Sequence, residues 1–345
     1  MSREAGFWIL PFLCITGFLL NIVSAVVFAA LGNAARSKRE VNGLRIYLIA
    51  LSLFDAAQLF LSIFVIVVPG ISESLQETES KELEHQLHLI GAYSILYLYP
   101  VMMAANYASI WTITAITAAR YLAICHPLSS LHRPSAPPHP STHRLSQPHF
   151  SDTLRRVIIS VISLLAIASN LPRFFEFHLI RPINGTLPQL QLSPLRQSTP
   201  YVVINDGVVY PLLLYFIPLA ILASLNTSIF AAIKHQPYLK RNRTILMIAT
   251  IVLLFFLCNT LAVIIRWWEL IQPSVIGLGH EQGHENATYR LVTGLSNFLV
   301  NFNSAANPFI YFYFTRMFRD FAKEMRRGSK GNTAISQPLC MAELH

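Results

Sequence analysis

Asp55 stands in the middle of an apolar run from Leu44 to Val68. A carboxylate placed in hydrocarbon is costly unless partners compensate it, so its position alone makes Asp55 a functional candidate. The polar residues able to reach it are Ser109 in the third apolar run and Asn303, Ser304 and Asn307 in the last. Oxygen ligands of this kind suit a hard cation, and Asp55, Ser109, Asn303 and Ser304 resemble a sodium site. The same set equally suits a neutral, protonated aspartate held by hydrogen bonds.

Two further constellations lie at the opposite ends of helical runs. Asn307-Pro308-Phe309-Ile310-Tyr311 closes the last apolar run. Pro308 removes a backbone hydrogen bond and clashes with the preceding turn, which predicts a kink, with Asn307 placed to satisfy freed backbone groups. Arg120 and Tyr121 end the third run. An arginine there can be a functional group or an interfacial side chain that snorkels. Five histidines between His126 and His149 match no metal-ligand spacing. The apolar runs hold no His/Glu pair on one helix, no nucleophile with its base and no phosphate loop, so an enzyme is not expected.

The elements that must position these residues are membrane helices. Only 12% of the 345 residues are charged and 53% are hydrophobic, with a mean hydropathy of +0.47. A water-exposed surface cannot be built from so few charges. A bilayer core needs about 20 apolar residues in helix. Seven runs qualify: Phe7–Leu31, Leu44–Val68, His88–Ala123, Val157–Phe174, Val208–Ile233, Thr244–Trp268 and Leu291–Phe314. The first is too long for the apolar core of a cleaved leader and reads as an anchor. The third carries a polar stripe of Asn106, Ser109, Thr112 and Thr117, as expected of a helix inside a bundle. The fold class is therefore an all-α membrane protein, a seven-helix bundle.

The net charge of +9 does not point to nucleic acid. The basic residues fall in short stretches between apolar runs, where lipid headgroups and cytoplasmic partners are nearer. With the N-terminus outside, eighteen basic residues lie on the cytoplasmic side, nineteen with Arg120, against seven outside. That bias sets the direction. Residues 1–6 are then extracellular and 7–314 form the membrane domain. The Pro-, Ser- and His-rich loop 127–152 reads as disordered, 315–327 as an amphipathic cytoplasmic helix and 328–345 as a disordered tail. The sequons at Asn184 and Asn286 fall in outer loops, where glycosylation can occur. Cys14, Cys125, Cys258 and Cys340 show no metal or disulfide spacing.

Asn21, Leu51-x-x-x-Asp55, Ala119-Arg120-Tyr121, Pro218 and the NPFIY stretch together resemble the rhodopsin-like G-protein-coupled receptors. The resemblance runs from the first span to the tail helix. Asn170-Leu171-Pro172-Arg173-Phe174-Phe175-Glu176 and Phe256-Leu257-Cys258-Asn259-Thr260-Leu261 are similar to the FMRFamide-type neuropeptide receptors of invertebrates. The resemblance implies that Arg120 and Tyr121, with Pro127 and Leu128 in the following loop, engage a heterotrimeric G protein. It implies that Asn307, Pro308 and Tyr311 form an activation switch, and that the chain resides in the plasma membrane. No resident cofactor is implied beyond an allosteric sodium ion.

The resemblance also makes departures visible. Ala119 replaces an acid beside Arg120, so that intrahelical ion pair is missing. Asn259 and Leu261 stand where Trp and Pro are common, which predicts a straighter sixth helix. Ile95 occupies the position of a cysteine that usually ties down the second outer loop, so that loop is expected to be untethered. The reading that results is a receptor for an extracellular, cationic and aromatic peptide. Tyr97, Tyr99, Glu176, Trp267, Trp268 and Glu269 are its candidate contacts. The two tryptophans equally suit the aromatic belt at the headgroups. A chemosensory receptor for a non-peptide ligand is the alternative within the family. A transporter is the alternative outside it, disfavoured because no repeat relates the two halves.

Overall fold

The computed structural model describes residues 3–34, 39–75, 81–125, 152–180, 188–234, 242–271 and 287–314. Helix α1 is Arg3–Ala34. Helix α2 covers 39–75, an α-helix Arg39–Ser62 that passes through a π turn, Ile63–Val67, into Val68–Leu75. Helix α3, Lys81–Cys125, starts seven residues earlier than the apolar run because Glu82 and Glu84 occupy its first turn. Acids there oppose the helix dipole and extend the helix beyond the apolar segment. Helix α4, Asp152–Asn170, ends in a 3-10 turn at Leu171–Phe175, where Pro172 stops the α-helix.

An antiparallel hairpin follows, β1 Phe177–Ile180 and β2 Gln189–Leu192, with Phe177 opposite Leu192. Helix α5 covers 199–234 and contains two π segments, Val203–Val209 and Leu212–Phe216, before the regular stretch Ile217–Lys234. Pro211 and Pro218 lack the N–H that an α-helix needs, and wider turns next to them absorb the loss. Helix α6, Asn242–Ile271, runs as unbroken α-helix, with Asn259 donating to its own turn at Phe255 O (2.9 Å). Helix α7 is Ala287–Phe314, with Pro308 inside it.

Among the described residues, six helices are long and apolar enough to cross a membrane: Ile9–Ala30, Leu44–Glu73, Lys81–Cys125, Asp152–Phe175, Thr199–Ala232 and Ala249–Ile271. Helix α7 does not reach that apolarity, for a physical reason. Ser296, Asn301, Asn303, Ser304 and Asn307 form a polar stripe that is buried in the bundle, where α7 packs among α1, α2 and α6. Large apolar side chains such as Phe12, Leu164 and Ile271 instead point outward, as lipid requires. The core is built mainly on α3, whose Tyr107, Ile110 and Ile113 pack with Leu51, Leu222, Phe255 and Tyr311. Its polar stripe, Asn106, Ser109, Thr112 and Thr117, is buried as well. Gly17 sets the close approach of α1 to α7, because a Cβ there would meet Ala305 Cβ at 2.7 Å.

The loop 127–152 except Asp152, the expected helix 315–327, the tail 328–345, and the sequon residues Asn184 and Asn286 lie outside the described residues.

Candidate ligand cavity and polar core

Asp55 is fully buried and accepts two hydrogen bonds, from Ser109 Oγ to Oδ1 (2.6 Å) and from Asn307 Nδ2 to Oδ2 (2.7 Å). Asn307 thus directs its amide to Asp55 rather than to backbone groups freed by Pro308. Ser304 Oγ donates to Gln58 Oε1 (2.9 Å), one turn beyond Asp55 on α2. Asn21 Nδ2 bridges Gly17 O and Ser304 O (2.9 and 3.1 Å), joining α1 to α7. Asn303 is buried, but the contacts to Asp55 come from Ser109 and Asn307. Gln58 was not anticipated; its spacing of three residues from Asp55 on one helix face was the available signal.

All of the hydrogen-bond donors to Asp55 are neutral, so a charged Asp55 lacks a counter-charge from these partners. A buried carboxylate in that state gains from a monovalent cation, and the oxygens of Asp55, Ser109 and Ser304 are the hard donors one needs. Asn307 contributes a donor nitrogen and does not fit as a ligand. Among the described residues, no group of three or more His, Cys, Asp or Glu gathers that would hold a transition metal.

A second buried cluster occupies the end of the bundle that carries the hairpin, where the sequence reading expected an untethered loop. Arg173, at the end of α4, is 2% exposed. It reaches Asn170 Oδ1 (3.1 Å), Tyr99 Oη (3.2 Å), Glu176 Oε1 (3.5 Å) and Asp206 Oδ1 (3.4 Å). Arg196, just beyond β2, pairs closely with Asp206 and lies 4.0 Å from Glu176. Glu176 also accepts from Tyr201 Oη (2.7 Å). Ser193 completes the closure, its amide donating to Glu176 O (2.9 Å) and its hydroxyl to Phe175 O. The hairpin is therefore clamped at both strand ends by ions and hydrogen bonds, without a covalent link. The first π segment of α5 brings Asn205 and Asp206, adjacent in sequence, into the interior together. Beginning the fifth span at Val208 hid Asp206 from the sequence reading.

Beneath this cluster lies a cavity of about 250 Å³. Its polar wall includes Gln58, Asn106 and Asn301 deeper in the bundle, and Tyr99, Arg266 and Glu269 further out. Arg266 Nη1 donates to Glu269 Oε2 (3.2 Å) and Nη2 to Tyr99 Oη (3.4 Å). Tyr289 Oη donates to Glu269 Oε1 (2.7 Å). The guanidinium carbons of Arg173 and Arg266 lie 5.8 and 5.7 Å from the centre of the Tyr210 ring, within cation–π range. Asn301 spends its Nδ2 on Asn297 O (2.8 Å), which leaves Oδ1 as an acceptor with no protein donor among the described residues.

Of the six expected ligand contacts, the structure brings Tyr99 and Glu269 to the cavity. Glu176 is enclosed in the ion cluster and is 1% exposed. Tyr97 is more than half exposed and stacks on Tyr93 (6.4 Å between centroids). Trp267 and Trp268 face outward, where Trp267 stacks on Phe216 (5.7 Å) and donates to Gly207 O (3.1 Å). Such outward exposure suits the aromatic belt at the headgroups. The sequence offers Arg173 and Arg266 as outer basic residues able to neutralise Glu176 and Glu269, whereas Tyr210 and Tyr289 carry no signal that singles them out.

At the other end of the bundle, Arg120 and Tyr121 are half-buried on α3, beside Ala119, which packs against the core. Pro308 is buried in α7, and Tyr311 lies edge-on to Phe28 of α1 at 5.5 Å. Pro127 and Leu128 lie outside the described residues.

Comparison with known proteins agrees with this architecture. The family model described as "7 transmembrane receptor (rhodopsin family)" matches residues 142–311. An FMRFamide peptide receptor of Caenorhabditis elegans is 26% identical over 88% of this chain and 65% of its own length. The FMRFamide receptor of Drosophila melanogaster is 25% identical over 92% of this chain and 54% of its own. The human urotensin-2 receptor is 26% identical over 91% of this chain and 72% of its own. The chain thus spans less than two thirds of the length of the first two relatives. A bundle of apolar helices, an inward polar stripe ending in Asn-Pro, and similarity running along most of the chain point the same way: the chain is similar to the rhodopsin family of seven-transmembrane receptors, whose model matches just under half of it.

Proposed function

We propose that the chain is a plasma-membrane receptor, N-terminus outside, for an extracellular neuropeptide of the FMRFamide type, and that it signals through a heterotrimeric G protein. The cavity carries this reading. Its volume of about 250 Å³ is below the roughly 300–1,000 Å³ of pockets for drug-sized ligands. It suits the inserted end of a peptide whose remainder rests against the outer loops. Its wall offers rings at Tyr99 and Tyr210, an acid at Glu269 and amide acceptors such as Asn301. Such a wall matches a cationic, aromatic, amide-ended peptide. The relatives named as FMRFamide receptors support the same class.

Ligand pressure at this wall would reach the cytoplasmic end through α6 and α7. Helix α7 carries Asn301 at the cavity, Asn307 at Asp55 and Tyr311 beyond Pro308. A shift of that helix changes the Asp55 cluster and the surface near Arg120 together. Arg120 and Tyr121, with Pro127 and Leu128, would contact the G protein. Asp55, Ser109 and Ser304 would hold a sodium ion, which supplies a positive charge to the buried carboxylate and favours the inactive arrangement. The test is a screen of amidated peptides on cells expressing the chain with a promiscuous Gα. Nucleotide exchange driven by an Arg-Phe-amide peptide is the expected result; a response confined to non-peptide compounds would replace this reading with a chemosensory one.

A further inference from the structure

The cavity wall already holds a guanidinium in the setting that recognises one. Arg266 contacts the Glu269 carboxylate (3.2 Å) and the Tyr99 hydroxyl (3.4 Å), and its guanidinium carbon lies 5.7 Å from the Tyr210 ring centre. The second oxygen of Glu269 is held by Tyr289 (2.7 Å), which orients the carboxylate. An oriented acid with aromatic surface beside it is what binding an arginine side chain requires. We propose that Tyr99, Tyr210 and Glu269 form a guanidinium slot that Arg266 itself fills, and that a ligand bearing a guanidinium binds by exchanging with it. The slot follows from the geometry alone; only the peptide nature of the incoming ligand rests on the function proposed above.

Three observations favour exchange over simultaneous occupancy. The outer end of the bundle is charge-balanced, with Arg173, Arg196 and Arg266 facing Glu176, Asp206 and Glu269. A fourth cation would leave this group of side chains with an uncompensated positive charge, which the like charges around it repel. Arg266 is also the least confined of the three. Its side chain is 25% exposed, against 1% for Arg173 and 11% for Arg196. Finally, Glu176 and Asp206 are each held by other arginines, so Glu269 is the acid whose cation can leave. Release of Arg266 towards solvent would open the slot near the α5–α6 contact at Gly207, where a Cβ would lie 2.8 Å from Leu270 Cδ1. Ligand entry would thus be felt where those two helices touch.

Chemical rescue tests the slot without any peptide. In purified full-length Arg266→Ala, millimolar ethylguanidinium should raise the melting temperature, and ethylammonium should do so much less. Wild type and Arg266→Ala/Glu269→Gln should not respond to ethylguanidinium beyond the ethylammonium control. A folded Arg266→Ala that shows no specific response, or a wild type that responds equally, overturns the proposal. Arg266→Gln, which keeps a long polar side chain, supplies a second readout should Arg266→Ala not fold. Its preference for an Arg-Phe-amide peptide over the citrulline analogue should rise by roughly tenfold, the scale of one hydrogen bond to a charged group. A preference that stays level or falls makes Arg266 a ligand contact or a structural residue and overturns the exchange. Failure of every Arg-Phe-amide peptide to bind wild type removes the FMRFamide-type reading alone, because the ethylguanidinium response still decides the slot.

Discussion

Arg173 Nη2 lies 3.4 Å from Asp206 Oδ1, and both side chains are almost wholly removed from solvent. This pair joins the end of α4 to the start of α5 across the hairpin, in the loop that the receptors this chain resembles usually tie to the third span by a disulfide. An ion cluster differs from a disulfide in kind. It depends on the charges of all of its members, and removing one leaves another buried without compensation.

Asp206→Asn should therefore destabilise the protein by about 3–5 kcal/mol, the usual cost of breaking a buried pair. Thermal unfolding of detergent-solubilised receptor measures it. The double variant Arg173→Met/Asp206→Leu should recover part of the loss, because no buried charge is stranded. Strict additivity of the two single losses would show that the residues do not interact.

Glu176 stands among the contacts expected for a cationic peptide, and the structure gives it the hairpin to hold instead. Glu176→Gln should weaken an Arg-Phe-amide peptide and its citrulline analogue alike, together with a lower melting temperature. Competition binding with the peptide pair decides the matter. A loss of roughly 1.5–3 kcal/mol for the arginine peptide alone would return Glu176 to the ligand.

Asp55 is bonded to Ser109 at 2.6 Å and to Asn307 at 2.7 Å, and both partners are neutral. If its cluster takes sodium in the inactive state, sodium should lower agonist affinity through its preference for that state. Asp55→Asn should abolish the effect and blunt coupling. Agonist affinity that is indifferent to sodium between low and physiological concentrations would mean that the cluster is a hydrogen-bond network only.

Ala119 leaves Arg120 without the adjacent carboxylate found in many related receptors. Basal nucleotide exchange should accordingly be raised, and Ala119→Asp should lower it. The ion pair restored at this half-exposed site is worth about 1 kcal/mol or less, so the change should be severalfold rather than complete. Exchange measured at matched surface expression, with no difference between the two proteins, removes the idea.

The charge bias across the membrane predicts that antibody staining of intact cells reveals a tag at residue 1 and not one at residue 345. Equal access to both ends would overturn the count of seven spans, and with it the assignment of α7 as the seventh.

Much of this architecture was legible in the chain because lipid is a strict solvent. A span must be a helix of about 20 apolar residues, and a polar group within it must find partners inside the protein. Those two demands locate α1 to α6 from composition and mark Asp55, Ser109 and Asn307 as a cluster. Helix α7 was legible by motif rather than by apolarity, since its buried stripe of Ser296, Asn301, Ser304 and Asn307 lowers its hydropathy.

The outer site was not legible to the same degree, and Tyr97 and Tyr99 show why. Two residues apart on one helix, they point roughly 200° from each other around its axis. Sequence alone nominated both; the rotation of α3 within the bundle turned Tyr99 to the cavity and Tyr97 outward. The same rotation of α6 divided Trp267 and Trp268 from Glu269. The six charged residues Arg173, Arg196, Arg266, Glu176, Asp206 and Glu269 allow several neutral pairings. Which arginine meets which acid depended on the π segment that turns Asp206 inward and on the close approach of α4, α5 and α6. Composition determined that this chain is a bundle of membrane helices with a polar interior. Helix rotation and irregular turns, which arise only when the helices pack, decided which residues form the cavity wall.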